Sequence, residues 1–255
     1  MTPVETTVDA FLGGRVMIRQ PRNGYRAGID AVFLAAAAPC VAGTACRVLD
    51  IGAGVGTVGL CVAARCPEAI VTLLEREPEL ASLARGNIAD NKPAARVRAI
   101  EAGIGDPAAL LSQAGLAPDS FDHVLANPPY HAEGHGTPAP GALKAASHAM
   151  PQASLDDWVR FMARMAKPGG TAAMVHKAEA LAAILAAFAT RFGDIRILPL
   201  HPRDGDPATR ILVQGIKASR APLVLLPGFV LHAEGHTYPP AAQAVLRDGA
   251  GVRLR

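Results

Sequence analysis

Arg47-Val48-Leu49-Asp50-Ile51-Gly52-Ala53-Gly54-Val55-Gly56 is the stretch on which the fold turns. Residues 47–51 read as a buried strand, the glycines that follow as a tight turn, and residues 55–65 as a helix. Glycines are demanded where a ligand must come close to backbone, because a Cβ would hold it off. Outward from this unit the pattern repeats. Strands are expected at 70–75, 96–101, 121–126, 171–176, 195–200 and 210–217, and helices at 78–90, 155–166 and 178–192. Strands alternating with helices of this length predict an α/β fold, a mainly parallel, doubly wound sheet covered on both faces.

Upstream, residues 1–45 read as a hairpin and a helix that together form a lid, and residues 46–255 as the sheet domain with its C-terminal strands. Residues 16–18 are a short strand, Asn23-Gly24 is the turn signal, and residues 31–38 are helical until Pro39 stops them. Downstream, Lys167-Pro168-Gly169-Gly170 reads as a helix stop. The tail holds one apolar strand at 223–226 and a short helix at 241–246. Residues 131–151 carry Gly, Pro and His without periodicity. They form a loop after a strand's carboxyl end, where open α/β sheets bind ligands.

Composition narrows the class. Half of the 255 residues are apolar, enough for a full core, and aromatics are only 4%, so that core is built of Ala, Val, Leu and Ile. The net charge of +3 lacks the stronger basic excess of dedicated nucleic-acid binders, and an enzyme that visits RNA briefly would need less of it. Residues 1–9 are polar and acidic, which argues against a signal peptide, and residues 31–38 are too short to span a membrane. The four cysteines, Cys40, Cys46, Cys61 and Cys66, form no C-x-x-C pair and read as reduced, structural thiols of a cytoplasmic protein.

The glycine loop satisfies G-x-G-x-x-G over residues 54–59, which alone does not separate one nucleotide from another. Asp50, at the strand end just before the glycines, does separate them. A carboxylate there would face a pyrophosphate badly but suits the ammonium of a methionyl group, directly or through water. Glu75 ends the next strand and is placed to accept both hydroxyls of a ribose, a feature that dinucleotide enzymes share. A third signal is Asn127-Pro128-Pro129-Tyr130 at the end of the fourth strand. Two prolines fix the backbone and remove two donors, leaving carbonyls free to face a ligand. The Asn127 amide oxygen and the Pro128 backbone oxygen would hold an NH₂ group by its two protons and aim its lone pair at an electrophilic methyl. Tyr130 offers a face on which a planar base or amide stacks.

With these residues the sequence resembles the seven-stranded class I methyltransferases. Residues 49–56 match their cofactor loop and Leu74-Glu75 their ribose acid, and the resemblance implies S-adenosylmethionine as cofactor and a seven-stranded sheet whose last strand is antiparallel. Asn127 to Tyr130 resembles the motif of amino-methyltransferases acting on adenine, guanine or glutamine, and does not choose among them. Residues 25–34, among them Arg26, Gly28 and Asp30, resemble the segment before the cofactor loop in the bacterial tRNA adenine methyltransferases that act on valine tRNA. That resemblance runs from about residue 11 to 129 and resumes over 208–246. It implies tRNA as substrate partner and cofactor contacts at Arg26, Gly28, Asp30, Asp50, Gly52, Gly54, Gly56 and Glu75. Class members usually place an acid after the third strand to bind the adenine amine. Gly103 stands at that place here, and Asp106, three residues on, is the candidate substitute.

Other signals weigh less. His-Ala-Glu-Gly-His occurs at 131–135 and 232–236, but glycine in each copy opposes a helical metal pair, and no metal is expected. Arg15, Arg19, Arg22 and Arg26 are either a solvated hairpin or a phosphate-contacting edge with Arg26 turned toward the cofactor. Trp158 reads as helix packing. The competing functions are a protein glutamine or guanine methyltransferase, an NAD-dependent oxidoreductase using the same glycines, and a non-catalytic cofactor-binding module. The glutamine enzymes carry a helical domain before the loop, whereas the 49 residues before Asp50 read as hairpin and helix. An intact Asn127 to Tyr130 opposes the last two. No membrane partner is expected.

Overall fold

The structure, a computed structural model, describes residues 5–24, 26–41, 43–92, 95–129, 153–235 and 237–254. β1 (Thr6–Phe11) and β2 (Val16–Pro21) form a separate antiparallel hairpin, followed by α1 (Ile29–Ala36). The alternating region is β3 (Cys46–Ile51), α2 (Thr57–Arg65), β4 (Ala69–Glu75), α3 (Pro78–Asn91), β5 (Val97–Glu101), α4 (Ala108–Gln113) and β6 (Phe121–Ala126). It continues through α5 (Leu155–Met165), β7 (Ala166–Lys177), α6 (Leu181–Ala189), β8 (Phe192–His201) and β9 (Arg210–Lys217). The tail holds β10 (Val224–Leu225), β11 (Phe229–Val230) and α7 (Pro240–Leu246).

The seven long strands run in the order β8-β9-β7-β6-β3-β4-β5, with β10 and β11 added beside β8. All pairings among the seven are parallel except those of β9, which is antiparallel to both β7 and β8. That is the expected sheet with its last strand reversed. Two cores fill its two faces. Val48, Leu60, Val62 and the buried residues of α1 pack on one. Leu49, Ile51, Val159, Met162 and Phe188 pack on the other. Alternate residues of β3 therefore serve opposite cores, as a strand buried on both faces requires.

Three local expectations are corrected. The hairpin turns at residues 12–15, since Phe11 pairs with Val16. Gly13 and Gly14 there have φ of +64° and +92°, a backbone that side chains with a Cβ rarely adopt. Asn23-Gly24 instead leads out of β2 toward α1. Lys167-Pro168-Gly169-Gly170 is not a loop but the start of β7, because α5 already ends at Met165. α4, six residues long, has too few turns for a periodic signal and was not expected.

The hairpin is tied to the sheet domain through α3. Asn87 accepts from Arg19 N–H (2.8 Å) and donates to Arg19 C=O (2.9 Å). Asn91 does the same for Met17 at 2.8 and 2.7 Å. Two residues of strand advance about 6.8 Å and four of helix about 6 Å, so alternate strand residues meet residues one helical turn apart. Two asparagines thus stand in for a neighbouring strand on the free edge of β2.

Candidate active site

Register decides what meets at the carboxyl ends of the central strands. Ile51 pairs with Leu74 on one side and with Ala126 on the other. Gly52, Glu75 and Asn127, the next residues along, therefore leave adjacent strands at one level, the strands being about 4.8 Å apart. Asn127 is half-buried, Pro128 buried and Pro129 exposed. Tyr130, and the first His-Ala-Glu-Gly-His copy with it, lie outside the described residues.

The glycine loop is braced from β4 and α3. Ala53 N–H donates to Leu74 C=O (3.0 Å) and Gly54 N–H to Glu75 Oε2 (2.7 Å). Glu75 Oε1 accepts from Glu77 N–H (2.9 Å). Each carboxylate oxygen retains a lone pair for a further donor. Asn87 uses its second amide proton on Val55 C=O (2.9 Å), so the same side chain holds both β2 and the glycine loop. Gly56 is the N-cap of α2.

Asp50 shares the face of β3 that carries Val48 and lies beneath α2. Its Oδ2 accepts from Gly59 N–H at 3.0 Å. Gly59 is in the first turn of α2, where N–H groups have no acceptor within the helix. Burial pushes the Asp50 carboxyl up to about 7; the Gly59 hydrogen bond opposes the rise and the charge of Glu75 adds to it. A Cβ on Gly59 would stand 2.1 Å from Leu73 Cδ2, so glycine is needed for α2 to lie this close to the sheet. Asp50 therefore has a structural partner of its own, which the sequence pattern does not reveal.

Two further side chains belong to the site. A Cβ on Gly52, whose φ is +65°, would lie 2.5 Å from Trp158 Cη2. The indole of α5 thus covers the first glycine of the loop, a placement beyond the helix packing expected for it. Thr57 opens α2, and among the described residues its buried Oγ1 has no hydrogen-bond partner. The signals for these residues were faint. Asn87 and Asn91 sit four apart on a helix, a spacing that reads as nothing until a strand edge is known to lie opposite.

The remaining candidates divide. Asp106 Oδ2 accepts from Gly103 N–H at 2.8 Å, and a Cβ on Gly103 would lie 3.6 Å from Asp106 Oδ1. The substitute carboxylate folds back onto the position where the acid is missing. Arg26 is not turned toward the glycine loop. Its guanidinium donates to Asp9 Oδ2 (2.6 Å), Thr7 Oγ1 (2.7 Å) and Pro21 C=O (2.8 Å) within the hairpin. Asp30 faces Arg210 at 3.0 Å, tying α1 to β9, and Gly28 is the extended N-cap of α1. Arg19 pairs with Asp90, Arg22 with Glu5, and Arg15 bonds the carbonyls of Leu12 and Arg247. In the second His-Ala-Glu-Gly-His copy, His232 stacks on Tyr238 with centroids 5.2 Å apart, and His236 lies outside the described residues. Among the described residues no group of three or more His, Cys, Asp or Glu is arranged to hold a metal ion, and no helix is long and apolar enough to cross a membrane.

Known proteins share this architecture. Residues 32–148 match the methyltransferase small domain family. A crystal structure from Agrobacterium tumefaciens, described as a predicted O-methyltransferase, superposes with a TM-score of 0.71 at 34% identity, over 88% of this chain and 98% of that one. The chain belongs to the class I methyltransferases. Among curated relatives of this methyltransferase, the tRNA1(Val) (adenine(37)-N6)-methyltransferase of a Shewanella species is 29% identical over 89% of this chain and 87% of that protein. The enzyme of the same name from Shewanella putrefaciens is 33% identical over 62% and 63%. A type I restriction-modification methyltransferase subunit from Streptococcus thermophilus, 15% identical with a TM-score of 0.59, shares the fold.

The methyltransferase uses S-adenosylmethionine, as its family does. Its residues fit that cofactor. A glycine cradle that Cβ atoms would fill, a carboxylate at the end of β4, and a buried hydroxyl at the start of α2 that has no partner among the described residues are gathered at one edge of the sheet.

Proposed function

We propose that this methyltransferase acts on the exocyclic amine of an adenine in tRNA. The observation that carries the proposal is the exit of Asn127-Pro128-Pro129 from β6 beside the glycine loop, one strand away from Gly52. S-adenosylmethionine, when bound, supplies a methyl group carried on a sulfonium. The chain's task is then positional. The Asn127 side-chain oxygen and the Pro128 carbonyl accept the two protons of the amine and aim its lone pair, and Tyr130 stacks on the base. No strong base is needed before attack, because the proton leaves once nitrogen has become cationic. The Gly52, Gly54 and Gly56 backbone forms the cradle, Glu75 takes the ribose hydroxyls, and Asp106 stands for the missing adenine acid. Asp50 braces the loop and offers Oδ1 toward the ammonium. Arg26 and Asp30 are left out of the ligand set because each is engaged with a partner elsewhere.

Two relatives named for adenine N6 methylation of a valine tRNA support the choice of acceptor. A tRNA acceptor also implies a cytoplasmic enzyme. The Agrobacterium relative's description favours a hydroxyl acceptor, but a hydroxyl presents one proton to two convergent oxygens, whereas an amine presents two. The deciding experiment is single-turnover methyl transfer to unmodified total tRNA and, in parallel, to a release factor, followed by nucleoside mass spectrometry. N6-methyladenosine in tRNA is the expected product. Asn127→Ala should lower the rate on the order of 100-fold while cofactor affinity holds, since a misplacement of about 1 Å costs that much. Methylated protein, a ribose-methylated nucleoside, or near-normal turnover by Asn127→Ala would overturn the assignment.

A further inference from the structure

At the amino end of β3, far from the glycine loop, three of the four cysteines converge. Cys46 begins β3 and Cys40 lies in the segment after α1, their Sγ atoms 4.0 Å apart. Cys66, just past α2, also faces the Cys40 thiol. His123 of β6 faces Cys46, and its Nδ1 is 2.9 Å from Thr171 Oγ1, which leaves Nε2 for the sulfur. Cys40 is half-buried and lines a cavity of about 560 Å³ together with Arg65, Gln214 and Arg253, so a small solute can come up to it, and Cys46, itself buried, lies 4.0 Å beyond. Five residues of strand separate Cys46 from Ile51, about 17 Å from the catalytic edge.

We propose that Cys46 and Cys40 form an oxidisable dithiol whose substrate is a hydroperoxide, Cys46 attacking and Cys40 resolving. In the first step the Cys46 thiolate attacks one peroxide oxygen, the O–O bond breaks, and Cys46 becomes a sulfenic acid while hydroxide, or the alkoxide, leaves. In the second, Cys40 sulfur attacks Cys46 sulfur, the S–O bond breaks, and the Cys40 proton and the departing hydroxide form water. Two thiols are oxidised and one peroxide is reduced. The division of roles follows from the surroundings. Contact with Cys40 and His123 holds Cys46 down at about 5, against burial and the nearby Asp122 carboxylate. Cys40, which lies against both other thiols, is pushed up and stays protonated. Cys66 is lowered by its Cys40 contact, with Arg65 assisting and Glu68 opposing, while Cys46 lies 4.0 Å from Cys40 sulfur to sulfur. Among the described residues no group of three or more His, Cys, Asp or Glu is arranged here to hold a metal ion.

The test is to treat the intact, reduced chain with stoichiometric hydrogen peroxide and follow it by intact mass and non-reducing peptide mapping. The expected result is loss of two hydrogens and a Cys40–Cys46 crosslink, with Cys61, which lies apart from this group, unmodified. Cys40→Ser should halt at a Cys46 sulfenic acid that dimedone traps. Cys46→Ser should slow oxidation about tenfold or more. Where that variant fails to fold, the intact chain still decides: Cys46 should be alkylated by iodoacetamide at pH 6, where an ordinary thiol is protonated. Four thiols still free after peroxide, a crosslink that uses Cys66, stoichiometric zinc in the purified protein, or no alkylation of Cys46 at pH 6 would each overturn the proposal.

Discussion

Replacing Asn87 by alanine should cost more stability than replacing its half-buried twin Asn91, and should loosen the cofactor loop as well. Asn87 is 1% exposed and makes three hydrogen bonds, two to Arg19 backbone and one to Val55 C=O. Alanine removes all three. The Arg19 groups are part-buried and partly recover with water, whereas Val55 C=O is buried and does not. An unsatisfied buried group costs about 1–3 kcal/mol and an ordinary hydrogen bond about 0.5–1.5. The total for Asn87→Ala is then about 2–4 kcal/mol. Asn91→Ala also removes three contacts, two to Met17 backbone at an exposed edge and one to Asn87 C=O, but all three partners can recover with water, so the loss should be about 1–2 kcal/mol. Urea unfolding followed by the single tryptophan, Trp158, measures both. Calorimetry with S-adenosylhomocysteine reads the loop separately, and only Asn87→Ala should weaken binding. Equal losses for the two variants, or cofactor affinity untouched by Asn87→Ala, would refute the view that this side chain couples hairpin to loop.

Other outcomes follow from the same contacts. Gly52→Ala should weaken cofactor binding, and adding Trp158→Ala should restore part of it, because the new Cβ meets the indole at 2.5 Å; additive losses in the double variant would mean the indole is not the obstacle. Asp106→Ala should weaken cofactor affinity if its carboxylate replaces an acid at Gly103, and unchanged affinity would leave it as a loop cap. Asp50 gives a pH signature. The unfolded chain loses its Asp50 proton near 3.8 and the folded chain only near 7, so folding stability falls as pH rises through that window and is level above it. Asp50→Asn should flatten that fall. If the cofactor's ammonium engages Asp50, binding must pull its proton off, so calorimetry at pH 6.5 in buffers of different ionisation enthalpy should detect proton release in the wild type and none in Asp50→Asn.

The sheet was legible because its signals are local. Each long strand carries its own apolar run, and Gly52 to Gly56 punctuates the first crossover whatever surrounds it. The antiparallel seventh strand came from resemblance and not from periodicity, since a buried strand looks alike in either direction. The hairpin turn was misplaced because Asn-Gly is the stronger dipeptide signal, while Gly13-Gly14 does the work here by allowing positive φ at consecutive residues. Candidate site residues stood out where chemistry singles out a residue type at a strand end, as with Glu75 and Asn127, and register brings those strand ends level. Asn87 and Trp158 did not, because each acts through a partner more than 30 residues away in sequence, and spacing carries no record of such a partner until the chain has folded.

The double duty of Asp50 shows why a motif acid and a structural acid are hard to separate in this fold. A carboxylate at the end of β3 must point to one face or the other. On the face toward α2 it meets a helix whose first-turn N–H groups lack acceptors, and it takes one of them. The glycine at position 59 that lets the helix approach brings that N–H within reach, so close packing and the hydrogen bond come from one residue choice. Burying the carboxylate raises its proton affinity, and the nearby charge of Glu75 raises it further. If the cofactor's ammonium reaches Asp50, its arrival would restore the ionised form, which a pyrophosphate would not do. The raised proton affinity itself is set by where β3 ends and how near α2 lies.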